Sequence, residues 1–484
     1  MTMIITTPAR VNGFRTFLIM WFGQLVSYTG TEMTRFALLA FAFAQTGEAT
    51  TLALLGFFAH ILHVAFSPIA GVIVDRYDRR IVMMVADTGA GLMTLTLAVL
   101  FFTGRLEIWH MFVTEAFTGA FEAFQRPAYI ASSTVLVPKH QFGRLNALRS
   151  LAYNGSRIVG PFFASVVLVT LGVGAVFVID MITFSIAILT LVAIRIPRPR
   201  IRPENVAGTF LQDLVFGVRY IFRRPGLFGL MIFFLFIHLV ASLTYFGVLN
   251  AMILARTGGD TVSLAWVQAA LGGAAVIGGL ILGAWGGPKK QVHMLFFTMT
   301  ASFLLGDFLL GTGQHLSAWF IGAAAASFFI PFIVSADRTI WQKKVAPDAQ
   351  GRVFSIQTMF VEAVIPLGFL IAGPLADRIF EPAMRVGTLN LPIADVILRV
   401  WDTPLGNGSL VERFSGLVGT GPGAGMGLMF VCTSIMGVTV SLVFYAIPVI
   451  RKVEDDLPDF EDDEDEPVVG PLPYGTLSVP SAAD

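Results

Sequence analysis

Long apolar stretches recur along the chain from Phe14 to Ile450, and short polar breaks separate them. Each stretch is at least as long as the roughly 20 residues that a helix needs to cross the hydrocarbon layer of a bilayer. The stretches are continuously apolar, whereas the strands of a membrane β-barrel alternate between apolar and polar residues. The pattern therefore predicts an all-α membrane protein with twelve transmembrane helices. The predicted spans are 14–44, 50–75, 81–103, 107–136, 140–170, 174–195, 226–256, 262–286, 290–312, 317–345, 350–380 and 424–450.

The polar breaks also predict an orientation, because Lys and Arg accumulate in the loops that stay in the cytoplasm. Every second break is basic, and the breaks between them hold few Lys or Arg residues. Both termini are therefore expected in the cytoplasm of a multi-pass protein of the cell (inner) membrane. The first apolar run is longer than the apolar core of a signal peptide, so we interpret it as a retained span.

The composition agrees with a surface that faces lipid. Of 484 residues, 55% are apolar and 13% are charged, which is about half the charge of an ordinary soluble domain. Lys and Arg together number 32, as do Asp and Glu, so no global basic field favours a nucleic-acid partner. The sequence lacks nucleotide-binding and hydrolase motifs as well as metal-ligand spacings. We therefore predict no enzyme activity, no cofactor and no metal.

The polar breaks divide the chain into two six-span halves, at residues 1–195 and 226–452. A basic linker over residues 196–225 joins them. Pro127 and Gly143-Arg144 in the first half have counterparts in the second, Pro331 and Gly351-Arg352, which indicates an internal repeat. Two such halves are typical of transporters that bind substrate between them at mid-membrane.

Two further segments lie outside the predicted spans. Residues 381–423 form an external loop, in which residues 393–401 have the pattern of a short amphipathic helix. This loop either caps the external mouth or is an insertion without function. The tail at 453–484 is acidic and then rich in Pro and Gly, which predicts a disordered cytoplasmic segment.

Several motifs resemble those of a known family. The segment Gly71-Val-Ile-Val-Asp75-Arg76-Tyr-Asp78-Arg79-Arg80 resembles the loop after the second span in the major facilitator superfamily. Further segments look like the drug:proton antiporter branch that contains macrolide-efflux and enterobactin-exporter proteins. They are Phe124-Gln-Arg-Pro127-Ala128, Gly160-Pro161, Gly351-Arg-Val-Phe354-Ser355, Gly373-Pro-Leu-Ala-Asp377 and Gly421-Pro-Gly-Ala-Gly-Met-Gly427. The resemblance implies a twelve-helix exporter driven by the proton gradient, with helices 1, 4, 7 and 10 lining a central cavity.

Charged residues within the spans are candidates for chemistry, because a charge at the centre of a membrane helix costs roughly 2.5–3.5 kcal/mol on insertion scales. Glu32, Arg35 and Glu115 are the proton-coupling candidates. Glu32 and Arg35 share one face of the first helix. The alternative is that they form a fixed ion pair that only holds helices together. For Glu122 and Arg126, four residues apart, the spacing favours a structural ion pair.

Other residues on the implied cavity helices are substrate-contact candidates. His238 is included because histidine titrates near neutral pH and the seventh span should line the cavity, although ordinary packing or one hydrogen bond is the favoured role. Aromatic side chains suit a cavity that accepts varied apolar molecules. The complete set of substrate candidates is Glu122, Arg126, His238, Asp337, Arg338, Glu362, Tyr28, Phe36, Phe124, Tyr245 and Trp341.

The loop motif after the second span predicts a cytoplasmic gate. Gly71 would allow close helix approach and Asp75 would accept hydrogen bonds at the N-terminus of a neighbouring helix. Arg76, Arg79 and Arg80 would stay at the anionic membrane surface; the alternative is that these arginines only enforce topology. Gly160-Pro161 within the fifth span predicts a bend, either static or mobile.

Together these patterns favour a secondary active transporter, namely a proton-coupled exporter of an amphiphilic small molecule such as a drug, macrolide, siderophore or secondary metabolite. Its expected partners are this substrate, protons and the lipid bilayer, with a monomer as the assembly and no nucleic acid. One alternative is a lysophospholipid or lipid transporter of the same fold. A membrane sensor that does not transport is a further alternative.

Overall fold

The computed structural model describes residues 13–194, 196, 210–347, 349–386 and 410–460. Within these residues the chain is helical and contains no strand, which confirms the predicted all-α class. Three predictions lie outside the described residues: the structure of the linker at 197–209, the amphipathic helix at 393–401, and the disorder of the tail beyond residue 460.

The part of the chain up to residue 194 forms long helices whose bounds agree with the predicted spans to within a few residues. They are α1 (Gly13–Thr46), α2 (Ala49–Arg76), α3 (Arg79–Phe102), α4 (Ile108–Leu136), α5 (Phe142–Leu171) and α6 (Val173–Ala193). The connecting turns are short, and Asp78 caps α3 by accepting a hydrogen bond from the backbone N–H of Arg80 at 3.0 Å.

The described residues from 210 onward form a second series of helices. They are α7 (Phe210–Phe222), α8 (Pro225–Leu243), α9 (Leu249–Arg256), α10 (Thr261–Trp285), α11 (Gln291–Thr312), α12 (Leu316–Lys344), α13 (Gln350–Leu375), α14 (Glu381–Val386), α15 (Leu410–Val418), α16 (Ala424–Ala446), α17 (Pro448–Arg451) and α18 (Val453–Asp456).

Ten helical segments among the described residues are long and apolar enough to cross a membrane. The two remaining long helices, α1 and α4, have 34 and 29 residues but fall below that apolarity. They carry Glu32, Arg35, Glu115, Glu122 and Arg126. Since α1 packs against α5 and α6, and α4 against α2 and α3, both helices lie within the same bundle as the apolar spans.

Several second-half spans contain interruptions that the apolar pattern does not reveal. The span predicted at 226–256 is two helices, α8 and α9, separated by residues 244–248. A Cβ atom at Gly247 would lie 2.6 Å from the Cβ of Ala372, so the break brings the backbone close to α13. In addition, α11 is π-helical over Ser302–Asp307, α12 is interrupted at Phe329 before Pro331, and a π-helical turn over Ala376–Phe380 follows α13.

Buried carboxylates connect helices within the first half. Asp180 of α6 is 4% exposed and accepts hydrogen bonds from Oγ1 of Thr34 at 2.8 Å and of Thr94 at 2.9 Å, on α1 and α3. A Cβ atom at Gly30 would lie 2.6 Å from Oδ1 of Asp180, so glycine is what lets α1 approach α6. Asp180, one of the membrane carboxylates, is therefore a structural connection between three helices.

The apolar core is shared at one end of the bundle and divided at the other. A single cluster of buried residues combines first-half positions such as Phe36 and Leu52 with second-half positions such as Met252 and Ala372. At the opposite end, one cluster draws only on residues from 214 onward and another only on residues up to 196. We call the shared end the closed end and the divided end the open end. The open end carries the arginines after α2.

Two segments assigned outside the spans are partly helical. The linker prediction over 196–225 missed α7, where Gly217 packs against Ile356 and Arg352 stacks 3.9 Å from the ring of Phe216. The loop prediction over 381–423 missed α14 and α15. Buried Glu381 accepts hydrogen bonds from the backbone N–H of Met426 at 3.0 Å and of Gly423 at 3.2 Å, so it caps α16.

The prediction that the tail is disordered from residue 453 onward is wrong for residues 453–460. Buried Lys344 donates to the backbone O of Glu454 at 2.6 Å and pairs with Asp459 at 2.6 Å. Lys290 pairs with Asp455 at 2.9 Å, and this hydrogen bond raises the pKa of Lys290 and lowers that of Asp455. The acids at the start of the tail thus neutralise lysines of the second half.

We expect Asp180→Ala to destabilise the fold, because it leaves the buried Thr34 hydroxyl without its acceptor. Hydrogen bonds to a charged group contribute about 1.5–3 kcal/mol each. Thermal unfolding of the purified protein in detergent should show the midpoint falling by several degrees. Asp180→Asn retains one acceptor oxygen and should lose less; an unchanged midpoint for Asp180→Ala would contradict the structural role.

Candidate functional site: the Arg35 cluster

A cluster of ionisable side chains lies inside the bundle, with Arg35 of α1 at its centre. Its Nη2 donates to Oε1 of Glu122 at 2.6 Å. Its Nε lies 3.6 Å from Oε2 of Glu115, and its Nη1 lies 3.6 Å from Oε1 of Glu32. We call Glu32, Arg35, Glu115 and Glu122 the Arg35 cluster. The structure thus brings together the three residues predicted for proton coupling, while their role in coupling stays a prediction.

Helix spacing explains how two helices supply this cluster. Glu115 and Glu122 lie two turns apart on α4 and therefore share a face. Glu32 and Arg35 are one turn apart on α1. A guanidinium has five N–H groups in a planar fork, so Arg35 is able to face carboxylates on more than one side.

Close packing at Gly160 brings α5 to the same place. A Cβ atom at Gly160 would lie 2.6 Å from the Cβ of Glu32, so no larger residue fits without movement. This packing sets Arg157 of α5 with its Nε 3.9 Å from Oε1 of Glu32. In this structure Gly160 serves helix approach, and the bend predicted at Gly160-Pro161 stays a prediction.

The structural pair expected between Glu122 and Arg126 is wrong. Glu122 binds Arg35 instead, while the guanidinium of Arg126 lies over the ring of Tyr153 of α5, 4.8 Å from its centre. The physical reason is that Arg35 reaches Glu122 from a neighbouring helix at 2.6 Å. An i,i+4 pair on one helix is worth only about 0.2–0.5 kcal/mol and is easily replaced.

The carboxylates of the cluster differ in their access to water. The side chain of Glu115 is 9% exposed, that of Glu32 is 19% exposed and that of Glu122 is 36% exposed. With every group ionised, three carboxylates face the two guanidiniums of Arg35 and Arg157, which leaves a surplus negative charge. Such a site is able to take up a proton and to redistribute Arg35 among the remaining carboxylates.

A chain of hydrogen bonds that the sequence did not suggest lies beside this cluster. The Tyr28 hydroxyl donates to Oε1 of Gln125 at 2.8 Å, and Gln125 donates to Gln24. Gln24 in turn donates to Oδ2 of buried Asp87 at 2.9 Å. Gln24 and Tyr28 are polar and one turn apart on α1, and this spacing was the only sign of the chain in the sequence. The chain holds α1, α3 and α4 together.

The aromatic candidates for substrate contact occupy different environments. Phe36 is 2% exposed in the core of the closed end, and Trp341 is 0% exposed in the second-half core. Both are therefore packing residues in this structure and not part of a cavity wall. Phe124 is half-buried with its ring 5.9 Å from that of Phe66. Tyr245 lies in the break after α8, with its hydroxyl 2.9 Å from Oγ of Ser327.

The polar candidates of the second half do not join the cluster. Nδ1 of His238 lies 2.8 Å from the carbonyl O of Phe234 in its own helix. This is the single hydrogen bond expected from the sequence as the alternative to a role in transport. Buried Asp337 accepts a hydrogen bond from Nε2 of Gln357 at 3.1 Å, whereas its neighbour Arg338 is exposed. Glu362 is half-buried. Contact of these residues with substrate stays a prediction.

The predicted gate motif is not engaged at the open end. A Cβ atom at Gly71 would meet nothing within 4 Å, so the expected close approach is absent in this conformation. Asp75 and Arg76 are exposed. Arg79 donates to the carbonyl O of Ala131 at 2.9 Å, and Arg80 donates to that of Leu191 at 2.6 Å. These two arginines thus bind the ends of α4 and α6, which is more than a topological role.

A second aspartate closes the opposite end. Asp377, in the π-helical turn after α13, accepts hydrogen bonds from the backbone N–H of Ala49 at 3.0 Å and of Thr50 at 2.7 Å. These groups are unpaired donors at the start of α2, where the helix dipole favours a negative charge. Gly373 makes the approach possible, because its Cβ would lie 2.4 Å from the Cα of Thr50. In the sequence, Asp377 belongs to a segment that resembles the transporter family, but nothing there predicted that it would cap α2.

Among the described residues, no three side chains of His, Cys, Asp or Glu are grouped so that they could hold a metal ion.

We expect Arg35→Gln to destabilise the protein most at alkaline pH, because three nearby carboxylates lose their shared cation. Removing one partner of a fully buried ion pair costs about 3–5 kcal/mol, and the cost here should be smaller because Arg35 is 27% exposed and Glu122 is 36% exposed. The deficit in the thermal midpoint relative to the wild type should shrink as the pH falls and the carboxylates take up protons. Arg35→Lys keeps the charge and should show a smaller deficit; a deficit independent of pH would contradict this assignment.

Comparisons with known proteins place this geometry in context. The sequence profile of the Major Facilitator Superfamily matches residues 20–369. Macrolide efflux protein A of Streptococcus pyogenes is 25% identical over 380 residues, which cover 75% of this chain and 90% of that protein. The multidrug efflux pump Tap of Mycolicibacterium fortuitum is 24% identical over 376 residues, which cover 74% of this chain and 89% of that protein.

A similar fold is known from a solved structure. It is that of a bacterial homologue of the human lysosomal transporter Spinster, in an inward-facing and unoccupied conformation, with a TM-score of 0.65 and 15% identity. The match covers 93% of this chain and 99% of that chain. The profile match extends over more than half of the sequence and the helical architecture agrees with it. This multi-pass membrane protein is a transporter and not an enzyme, and it belongs to the Major Facilitator Superfamily.

Proposed function

We propose that this transporter is a proton-coupled exporter of an amphiphilic small molecule, such as a drug, macrolide, siderophore or other secondary metabolite. The Arg35 cluster is the observation that carries the proposal. Relatives named for macrolide and multidrug efflux support the class of substrate and the direction of transport. The substrate would bind between the six-helix halves, with residues 1–195 on one side and 226–452 on the other.

Proton coupling would use the unequal exposure of the three carboxylates. Glu115 is the most buried of the three at 9% exposed and lies 3.6 Å from Arg35, so burial favours its neutral form and a proton is taken up there. Once Glu115 is neutral, its attraction for Arg35 is lost and the guanidinium is free to move further toward Glu122, its partner at 2.6 Å. Such a move changes the contact between α1 and α4, which is the kind of local rearrangement that can bias a conformational equilibrium.

Alternating access would use the difference between the two ends of the bundle. We place the open end and both termini in the cytoplasm of a cell membrane, because the basic loops lie there. In this orientation the structure corresponds to a state open to the cytoplasm. Closing that side requires breaking the contacts at the other end, including the hydrogen bonds that Asp377 makes with α2.

Asp75 and Asp377 would then act at opposite ends of one helix pair. Both belong to a Gly-x-x-x-Asp-Arg segment, at 71–76 in α2 and at 373–378, which runs across the end of α13. Helices α2 and α13 pack together, and Asp377 caps the start of α2 in this state. We propose that Asp75 makes the corresponding contact when the cytoplasmic end closes, as the gate prediction requires.

A lipid transporter of the same fold is the second candidate. A lateral groove of about 650 Å³ lies between α10, α11, α12 and α16, and its walls include Trp285, Phe297, Phe329 and Leu442. The groove would accept an acyl chain from the bilayer. It shares no residue with the Arg35 cluster, so we favour the exporter of soluble amphiphiles. A sensor that binds ligand without moving it is the third possibility.

Purified protein in liposomes with a trapped pH dye should move protons when a transported amphiphile is added. A panel of cationic, neutral and anionic compounds identifies the responsive class. Glu115→Gln and Glu32→Gln should reduce the compound-dependent proton flux by tenfold or more, because each removes a site that takes up a proton. Substrate binding should persist in both variants.

Glu107→Gln is the matched control, since Glu107 is an exposed cap of α4 at the closed end. Proton flux should be unchanged in this variant. If labelled substrate or lipid crosses the membrane while the pH stays constant, the antiport mechanism is wrong and the lipid transporter is favoured. Retained binding with no flux at all would favour the sensor.

Asp377→Asn should shift the conformational equilibrium away from the state described here. The charge that the α2 N-terminus favours is lost, and caps of this kind contribute about 0.5–2 kcal/mol. Thiol accessibility reports the change when a cysteine replaces Thr50 in a background lacking Cys432. Labelling from the closed end should increase several-fold in Asp377→Asn, and Asp75→Asn should not increase it. Equal labelling in all three proteins would contradict the proposed contact.

A further inference from the structure

Two arginines inside the bundle converge on one aromatic ring. The guanidinium of Arg126 on α4 lies 4.8 Å from the centre of the Tyr153 ring, and that of Arg157 on α5 lies 5.6 Å from it. Arg149, Tyr153 and Arg157 succeed one another at intervals of four residues, so they share one face of α5. We call Arg126, Tyr153 and Arg157 the arginine pair site.

The guanidiniums of this site keep N–H groups that the nearby carboxylates do not use. Glu122, the carboxylate one turn before Arg126, is bound to Arg35 at 2.6 Å. The structure shows no ion pair for Arg126 within the described residues, where its recorded contact is with the Tyr153 ring. Arg157 approaches Glu32 at 3.9 Å, which is beyond hydrogen-bond distance. Both guanidiniums therefore retain N–H donors for another partner.

The location indicates that this partner lies between the two halves. Tyr153 contacts Tyr28 of α1 edge-on with ring centres 6.3 Å apart, so the site lies next to α1. Ile158, adjacent to Arg157, meets Gly272 of α10 across the boundary of the halves. The side chain of Arg157 is 56% exposed. Facing lipid would cost each guanidinium several kcal/mol, so a water-filled gap is the environment that tolerates them.

We propose that Arg126 and Arg157 bind the anionic group of the transported molecule, and that the ring of Tyr153 packs against its apolar part. The inference rests on the proposed function, since it names the substrate class as an amphiphile with a carboxylate or phosphate. The guanidinium fork matches both groups in a bidentate geometry. Amphiphiles that lack an anion leave the two arginines unpartnered and should bind more weakly.

Matched aromatic probes test the site directly by titration calorimetry with the full-length protein in detergent. The probes are naphthylacetate, naphthylmethanol and naphthylmethylammonium, which share the ring and differ in charge. Wild-type protein should bind the anion at least tenfold more tightly than the alcohol. Arg126→Gln and Arg157→Gln should each weaken anion binding about tenfold or more, as the loss of a charge-assisted hydrogen bond implies, and change alcohol binding less than twofold.

Two further variants separate a specific site from a general effect of charge or folding. Arg126→Lys keeps the charge without the fork and should recover part of the affinity. Arg105→Gln removes an exposed arginine from the loop between α3 and α4 and should leave the affinity for naphthylacetate unchanged. Unaltered thermal midpoints confirm that the variants are folded. Equal anion affinity in wild type, Arg126→Gln and Arg157→Gln would overturn the inference.

The source of the anion is distinguished by adding lysophosphatidate to the series. Loss of lysophosphatidate binding in both glutamine variants, with naphthylacetate unaffected, would restrict the site to a lipid phosphate and overturn the carboxylate alternative. The liposome assay separates this inference from the proposed function. Proton flux with some compound but unchanged anion affinity in the variants refutes the arginine pair site alone. Anion binding that needs both arginines, without any transport, refutes the exporter alone.

Discussion

The constraint on which this structure depends is the cost of placing charge inside an apolar helix bundle. Arg35 meets that constraint by facing carboxylates from α1 and α4, while α5 adds Arg157 beside Glu32. These contacts hold together the helices that line the space between the halves. Asp180 obeys the same rule with hydroxyl donors in place of a cation, and it has a structural role. The role of a buried carboxylate therefore depends on whether its partners are cations or neutral hydroxyl groups.

The two ends of the bundle are built from different interactions. At the closed end a shared apolar core is reinforced by polar caps, in which Asp377 binds the start of α2 and Glu381 binds the start of α16. At the open end each half has its own core, and the hydrogen bonds of Arg79 and Arg80 with the described residues go to helices of the first half. One apolar interface and a few hydrogen bonds therefore distinguish the closed end from the open end in this structure.

Within the first half, the charges divide into two groups with different chemistry. The carboxylates gather around Arg35, whereas the guanidiniums of Arg126 and Arg157 both lie near the ring of Tyr153. The division arises because Glu122 of α4 binds Arg35 of α1 and not Arg126 of its own helix. The proposed coupling and recognition would therefore use adjacent but different side chains, which would link proton movement to substrate binding.

The sequence by itself determined the all-α membrane class and the approximate bounds of the first-half helices, because hydropathy sums transfer free energies residue by residue and needs no knowledge of neighbours. It also found Glu32, Arg35 and Glu115, since charge in an apolar span is conspicuous. Only the tertiary structure decided the partner of Glu122, the burial of Trp341 and the breaks within the second-half helices. Those outcomes depend on the distances between helices, which small residues such as Gly160 help to set. The periodicity of a single helix carries no information about its distance from another helix.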